Sequence, residues 1–176
     1  RMSGCVLPVV TNSGSGNQGI TVCVPVVLYA DALGVSEDMK YRSLVLSNLI
    51  AIYQKVGLGK LSAYCGAVSA ACGSGAAITY LTGGDFDAIS RTITNTLGNI
   101  SGMVCDGAKS SCAAKIASAM DAAILGHLMS LDKQAFGAGE GLVMDNVEAT
   151  IHSVGRMGRV GMHETDVEIL NIMIGK

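Results

Sequence analysis

The sequence predicts a mainly α fold in a single domain of 176 residues. Nearly every segment after residue 10 repeats its apolar residues at helical intervals of three and four, not alternately as in a strand. Hydrophobic residues make up 49% of the chain, which excludes intrinsic disorder. No charge run, low-complexity linker or long repeat divides the chain, whose length suits one domain. We therefore expect residues 1–176 to form one helical unit with a short extended segment at residues 6–10.

The first three helices are indicated by their boundary residues and composition. Residues 20–33 are an apolar helical run, and Pro25 inside it should kink or split the helix. Ser36 is placed to cap a second helix that stops at Gly57. Residues 62–81 are rich in Ala, Gly, Ser and Cys, a composition that favours a helix buried in the core of a protein over a membrane span.

The later helices carry clearer signals. Asp85 is a capping residue for a helix with one apolar stripe, and residues 111–131 form an Ala-rich helix. Thr165 and Glu168 make a capping box for the last helix. The glycine-rich residues 136–142 are predicted to form a loop or mobile flap. The apolar stripe consists of Phe86, Ile89, Ile93, Leu97, Ile100 and Val104.

Composition limits the classes of partner. The 12 Lys and Arg residues are scattered singly and the formal net charge is −2, so we expect no binding to nucleic acid. The uncharged stretch 2–30 is cut by polar residues 11–19, and we expect no membrane-spanning segment. Charged residues make up only 15% of the chain, against about a quarter in typical domains. One face should therefore pack on other protein, in a homo-oligomer or against a further segment.

A glycine-rich motif, GSGNQG, lies at residues 14–19. It fits the dinucleotide fingerprint G-x-G-x-x-G, but a proline inside the following helix and the absence of βαβ alternation argue against a dinucleotide site. A glycine loop that opens a helix still presents free amides to a phosphate or carboxylate. The alternative is a tight turn without a ligand. The candidate substrate-binding residues are Ser15, Gly16, Asn17 and Gln18.

The chain has six cysteines, at positions 5, 23, 65, 72, 105 and 112. Cys65 and Cys72 lie seven residues apart in a predicted helix, a rise of about 10.5 Å, so at most one of them should be a metal ligand. Cys105 and Cys112 flank a helix boundary, where the chain can fold both thiols towards one point. Three thiolates suit either a zinc ion short of one ligand or an iron–sulfur cluster with one free iron.

Three segments carry a resemblance to a known family: SGSGNQGI at 13–20, YCGAVSAACG at 64–73, and NTLGNISGMVCDGAKSSC at 95–112. They are similar to the L-cysteine desulfidase family, which is related to the α chain of the iron–sulfur L-serine dehydratases. The resemblance covers essentially the whole chain but corresponds to the C-terminal part of a longer enzyme. It implies a helical catalytic domain that holds a [4Fe-4S] cluster on Cys65, Cys105 and Cys112.

The resemblance also implies a cytoplasmic lyase that converts L-cysteine to pyruvate, ammonia and sulfide, or L-serine to pyruvate and ammonia. The substrate carboxylate would bind the amides of residues 14–19, and an N-terminal half or partner chain would complete the enzyme. Asp106 and Lys109 would tune the cluster or orient the substrate, or alternatively cap a helix and face solvent. The general base is unassigned, and its candidates are the histidines at 127, 152 and 163 or a group in the other half.

Two other functions remain open from the residues alone. The chain could be a non-catalytic module that binds an amino acid or another anion and keeps its cysteines as reduced core residues. It could also be an interaction domain stabilised by zinc.

Overall fold

The computed structural model describes residues 3–59 and 62–176, and the fold is mainly α, as predicted. Within these two ranges the backbone forms no β-strand, only two isolated β-bridges. Residues 6–10 belong to no helix or strand, and the side chain of Val6 is 94% exposed. The helices are α1 (Gly16–Leu33), α2 (Glu37–Leu58), α3 (Gly66–Leu81), α4 (Phe86–Ile100), α5 (Cys112–Leu131), α6 (Val147–Arg156) and α7 (His163–Met173).

Two helix starts and one loop confirm the prediction from sequence. The side chain of Ser36 accepts a hydrogen bond from the N–H of Met39 at 3.3 Å, at the start of α2. Asp85 likewise accepts from the N–H of Ala88 at 2.8 Å, at the start of α4. Both caps satisfy amides that have no partner inside the helix. Residues 136–142 lie in the loop between α5 and α6 and are mainly exposed.

Three predicted helix starts are wrong. α1 begins at Gly16 rather than at residue 20, because Ser15 caps it, and α3 begins at Gly66 rather than at residue 62. Thr165 is not a cap but lies inside α7. The chain reaches α7 through a π-helical turn (Met157–Gly161) that continues α6, so it is already helical and needs no side-chain cap.

Pro25 lies inside α1 without splitting it, contrary to one of the two outcomes predicted. A proline at this position removes the N–H that would bond to the carbonyl of Thr21, four residues earlier. Ser74 of α3 donates its hydroxyl to that carbonyl at 2.5 Å, and Ser47 of α2 donates to the next carbonyl, of Val22, at 2.8 Å. The neighbouring helices therefore supply hydrogen bonds at the site of the proline.

α3 lies at the centre of the fold, as its composition predicts, and nearly all of its residues are buried. It contacts α1 and α2 on one side and α4 and α5 on the other. A Cβ atom at Gly73 would overlap the carbonyl oxygen of Ser47. A Cβ atom at Gly75 would lie 3.0 Å from the Cβ atom of Ala123. Small residues thus let α2 and α5 approach the backbone of α3 closely.

α5 is the one helix, in the part of the chain that the structure describes, that is long and apolar enough to cross a membrane by length and composition. It packs against α3 and α4, and Ala119, Ala123 and Gly126 on one of its faces are buried. α5 therefore packs on the bundle through one of its faces.

Candidate functional site

The N-termini of α1, α3 and α5 open into one cavity of about 470 Å³. Because the amides at a helix N-terminus carry partial positive charge, three such ends favour an anionic occupant. The lining includes every residue predicted to bind the substrate or to hold the cluster. Asp106 and Lys109, which were predicted to tune the cluster or orient the substrate, lie outside the lining. The predicted residues in the lining are Ser15, Gly16, Asn17, Gln18, Cys65, Cys105 and Cys112.

The glycine motif forms a turn that leads directly into α1. Asn12 and Ser15 exchange backbone hydrogen bonds of 3.0 and 3.1 Å, and Gly14 adopts a φ of 83° that favours glycine. Ser15 then caps the helix by accepting from the N–H of Gln18 at 3.4 Å. The N–H groups of Gly16 and Asn17 have no acceptor among the described residues, so they are available to a ligand.

Two further glycines hold this turn against its surroundings. A Cβ at Gly19 would overlap the carbonyl oxygen of Val10, so the incoming chain passes directly over α1. A Cβ at Gly66 would overlap the side-chain amide of Gln18, which lies across the start of α3. The positive φ of Gly14 and the close approach of the Val10 backbone to Gly19 account for two glycines of the motif without a dinucleotide.

Cys65 and Cys105 are brought together by a pair of short backbone segments. The N–H of Cys65 donates to Met103 at 3.0 Å, and the N–H of Cys105 donates to Ala63 at 2.6 Å. These bonds flank the antiparallel bridge between residues 64 and 104 and set the two cysteines side by side. Cys112 reaches the same cavity from the first turn of α5.

Each of the three thiols accepts a backbone hydrogen bond, and at Cys65 and Cys105 this bond acts to lower the pKa. The donors are the N–H groups of Ala67 for Cys65, Gly107 for Cys105 and, at 3.5 Å, Lys109 for Cys112. Cys65 also donates to Cys105, and this bond with the nearby charges lowers the pKa of Cys105 to about 6. The same bond, together with burial, raises the pKa of Cys65.

Lys115 is a site residue that sequence reasoning missed. The ammonium of Lys115 acts to lower the pKa of both Cys65 and Cys105. The pKa of Lys115 is itself raised, chiefly by its hydrogen bond to Asp106 and further by the nearby thiols. Lys115 donates to the carbonyl of Val104 at 2.9 Å and forms an ion pair with Asp106. Its position three residues after Cys112 on a helix, and so on the same face, is a signal that could have identified it.

Asp106 binds the lysines rather than the cavity. It pairs with Lys115 and, at 2.5 Å, with Lys109, and the hydrogen bonds from these two ammonium groups hold its pKa well below the usual range. Asp106 therefore fixes the position of Lys115 beside the thiols.

Lys55 is the second residue that sequence reasoning missed. It lies in the last turn of α2, lines the cavity and is only 7% exposed. Burial lowers its pKa, and the thiols of Cys105 and Cys65 act in the opposite direction. A lysine near the end of a helix is common because it interacts with the helix dipole, so the sequence offers no signal that separates Lys55 from that ordinary role.

The remaining candidates lie outside the cavity. Cys72 is buried in the core 4.0 Å from the carbonyl oxygen of Ile93, and burial raises its pKa to about 12. His127 is buried against Thr79, whereas His152 and His163 are exposed. The described residues that line the cavity include no histidine, aspartate or glutamate. Across residues 3–59 and 62–176, no three His, Cys, Asp or Glu side chains are close enough to hold one metal ion.

The fold and the cavity define a class of protein: an all-helical domain with a cysteine-lined cavity suited to an anion. The serine dehydratase alpha chain family matches residues 1–171, and the chain belongs to that family. No solved structure matches the chain at a significant level.

Bacterial relatives of the chain carry the name UPF0597 protein. The chain is 56% identical to one from Desulfitobacterium hafniense, over 100% of its own length and 41% of the relative's. It is 58% identical to one from Lachnoclostridium phytofermentans, over 99% of its own length and 42% of the relative's. The chain thus spans about two-fifths of the length of these relatives.

Proposed function

We propose that the chain is the cluster-binding part of an iron–sulfur lyase that catalyses α,β-elimination of L-cysteine to pyruvate, ammonia and sulfide. L-serine, which carries oxygen in place of sulfur, is a second candidate substrate. The observation that carries the proposal is the single cavity at which Cys65, Cys105, Cys112 and the amides of Gly16 and Asn17 meet. Membership of the serine dehydratase alpha chain family supports lyase chemistry.

The donor set of this cavity fits a [4Fe-4S] cluster. Three thiols, each accepting a backbone N–H, lie beside the ammonium of Lys115, and this arrangement stabilises the negative charge of a thiolate-bound cluster. A cluster takes its thiolates on different iron atoms, so the three sulfurs need not converge as the ligands of one ion do. When bound, a cluster with one iron not held by cysteine supplies a Lewis acid for the β-sulfur or β-oxygen of the substrate.

The residues of this chain bind and orient the substrate. The free amides of Gly16 and Asn17 hold its carboxylate at the positive end of α1. Loss of the α-proton and of the β-substituent gives aminoacrylate, which hydrolyses to pyruvate and ammonia. Because none of the described lining residues is a histidine or a carboxylate, we propose that the base comes from the further length that the relatives possess.

We propose that the chain packs against an N-terminal half, or an equivalent partner chain, through apolar side chains that α1, α2 and α7 leave exposed. Homo-oligomerisation of the complete enzyme is part of this proposal. Cys23, Cys65, Cys72, Cys105 and Cys112 form no disulfide within residues 3–59 and 62–176, which is consistent with the reducing cytoplasm that an oxygen-sensitive cluster needs.

The test is cluster content together with product release. Protein purified without oxygen should hold iron and sulfide, absorb in the visible region, and release pyruvate and sulfide from L-cysteine once the other half is present. Replacement of Cys65, Cys105 or Cys112 by Ser should abolish iron binding, because each removes one thiolate. Cys72→Ala is the matched control and should keep its iron. Zinc in place of iron, or binding of L-cysteine without turnover by the complete protein, would contradict the proposal.

A further inference from the structure

Lys55 is largely buried in the cavity and has no carboxylate partner among the described residues. Its side chain is 7% exposed, and it forms no hydrogen bond or ion pair with any residue that the structure describes. An ammonium group held away from water costs free energy unless an anion or hydrogen-bond acceptors compensate it. The cavity therefore contains a cation that an anionic ligand would stabilise.

The other cations near the cavity are already paired. Lys115 binds Asp106 and the carbonyl oxygen of Val104, and Lys109 binds Asp106. The described lining includes no carboxylate that could neutralise Lys55 from within the site. Of the two lysines in the described lining, Lys55 and Lys115, Lys55 is thus the one available to an incoming anion.

The neighbours of Lys55 indicate the form of that anion. It shares the cavity with the unpaired amides of Gly16 and Asn17, which suit the oxygens of a carboxylate. It is also close enough to the thiols of Cys65 and Cys105 to interact with their charge. A small molecule whose carboxylate meets Lys55 would therefore have its other end near the proposed cluster ligands.

We propose that Lys55 binds the α-carboxylate of the substrate together with the amides of Gly16 and Asn17, and so restricts the site to substrates with a free carboxylate. The inference rests on the proposed function for the identity of the substrate. It assigns to Lys55 a binding role, separate from the elimination itself. Amides, esters and simple amines of the same size should bind more weakly than the free acid, because they leave the ammonium without a counter-ion.

The decisive measurement compares two ligands that differ only in this charge. Binding of L-serine and of L-serinamide to the reduced chain is measured by calorimetry for the wild type, Lys55→Met and Lys55→Arg. Loss of a charged hydrogen bond should weaken L-serine binding about ten- to a hundredfold in Lys55→Met and leave L-serinamide binding unchanged. Lys55→Arg should recover part of the affinity, because it restores the charge.

Lys133→Met is the matched control, since it removes an exposed lysine beyond the opposite end of α5 and should change neither affinity. The iron content of Lys55→Met should equal that of the wild type. Equal weakening of both ligands, no L-serine binding by the wild type, or loss of iron in Lys55→Met would overturn the inference, and the last would make Lys55 a counter-charge for the thiolates.

The two proposals fail in different ways. If the complete protein releases no pyruvate but L-serine binding still depends on Lys55, the lyase function is wrong and the carboxylate site stands. If the complete protein turns over L-cysteine and Lys55→Met leaves KM unchanged, the function stands and the role of Lys55 is wrong. An increase in KM with little change in kcat is the result expected for a binding residue.

Discussion

At the scale of single residues, charge in the cavity is balanced by groups that lie far apart in the sequence. Cys105 is favoured as a thiolate because Cys65 donates a hydrogen bond to it and because Lys115 is near. Asp106 in turn holds Lys115 at that position. Asp106 therefore acts on the thiols without lining the cavity: it holds Lys115, and its own charge acts to raise the pKa of Cys105. Its role in tuning a cluster stays a prediction.

His127 should make the folded protein sensitive to mild acid. Burial lowers its pKa below the ordinary value of about 6.5, and its Nδ1 lies 2.9 Å from Thr79 Oγ1. Below about pH 6.5 the unfolded chain binds a proton that the folded chain resists. This contribution to stability is complete above about pH 7 and is lost as the pH falls towards the folded pKa, with a slope of at most about 1.4 kcal/mol per pH unit.

The measurement is the free energy of unfolding of the wild type and His127→Asn between pH 7.5 and 5.5. Asn keeps a polar group near the position of Nδ1 and does not titrate, so the variant should lose part of the acid slope. His152→Asn, which changes an exposed histidine, should keep the whole slope. Identical slopes in His127→Asn and the wild type would show that His127 titrates normally.

At the scale of elements, α1 accommodates Pro25 with hydrogen bonds from the neighbouring helices α2 and α3. Ser74→Ala should destabilise the protein by about 1–3 kcal/mol, because the buried carbonyl of Thr21 then loses its donor. In the Pro25→Ala background the cost of Ser74→Ala should be smaller, because residue 25 regains an N–H that can bond to Thr21 within the helix. Chemical denaturation of the wild type, both single variants and the double variant measures this coupling. Strict additivity would mean that Ser74 does not compensate for the proline.

At the scale of the whole molecule, apolar surface on α2 remains without a partner. Exposed apolar residues follow one another along the helix at intervals of four, four, three and four, which is the spacing of a helix that packs on another element. The residues are Tyr41, Val45, Leu49, Ile52 and Val56. Their number is consistent with the low charge content of the sequence and with the greater length of the relatives.

Leu49→Lys should therefore reduce self-association of this chain and weaken its binding to the proposed N-terminal half, while its melting temperature changes little. The side chain is exposed, so the added charge disturbs the interface and not the core. Sedimentation velocity and thermal melting provide the two readouts. Asn99→Lys, which adds the same charge at an exposed position of α4, is the control. A large fall in melting temperature, or unchanged association, would refute this role for α2.

The sequence by itself determined the helical class, the caps at Ser36 and Asp85 and the central burial of residues 66–81, because these follow from local periodicity, capping and composition. The sequence could not locate the start of α7, since the π-helical turn that precedes this helix is closed by backbone hydrogen bonds and has no capping side chain. The sequence also indicated that Cys65, Cys105 and Cys112 belong together, and the structure places all three at one cavity. Their assignment as cluster ligands stays a prediction.

Only the tertiary structure decided which charged groups meet those thiols. Lys55 belongs to α2 and Lys115 to α5, and nothing in the local pattern around Lys55 distinguishes it from a lysine that ends a helix in solvent. Its burial results from the packing of α2 against α3, where small residues allow the helices to approach. Contacts between elements distant in sequence depend on the shape of the packed core, and a single sequence does not specify that shape residue by residue.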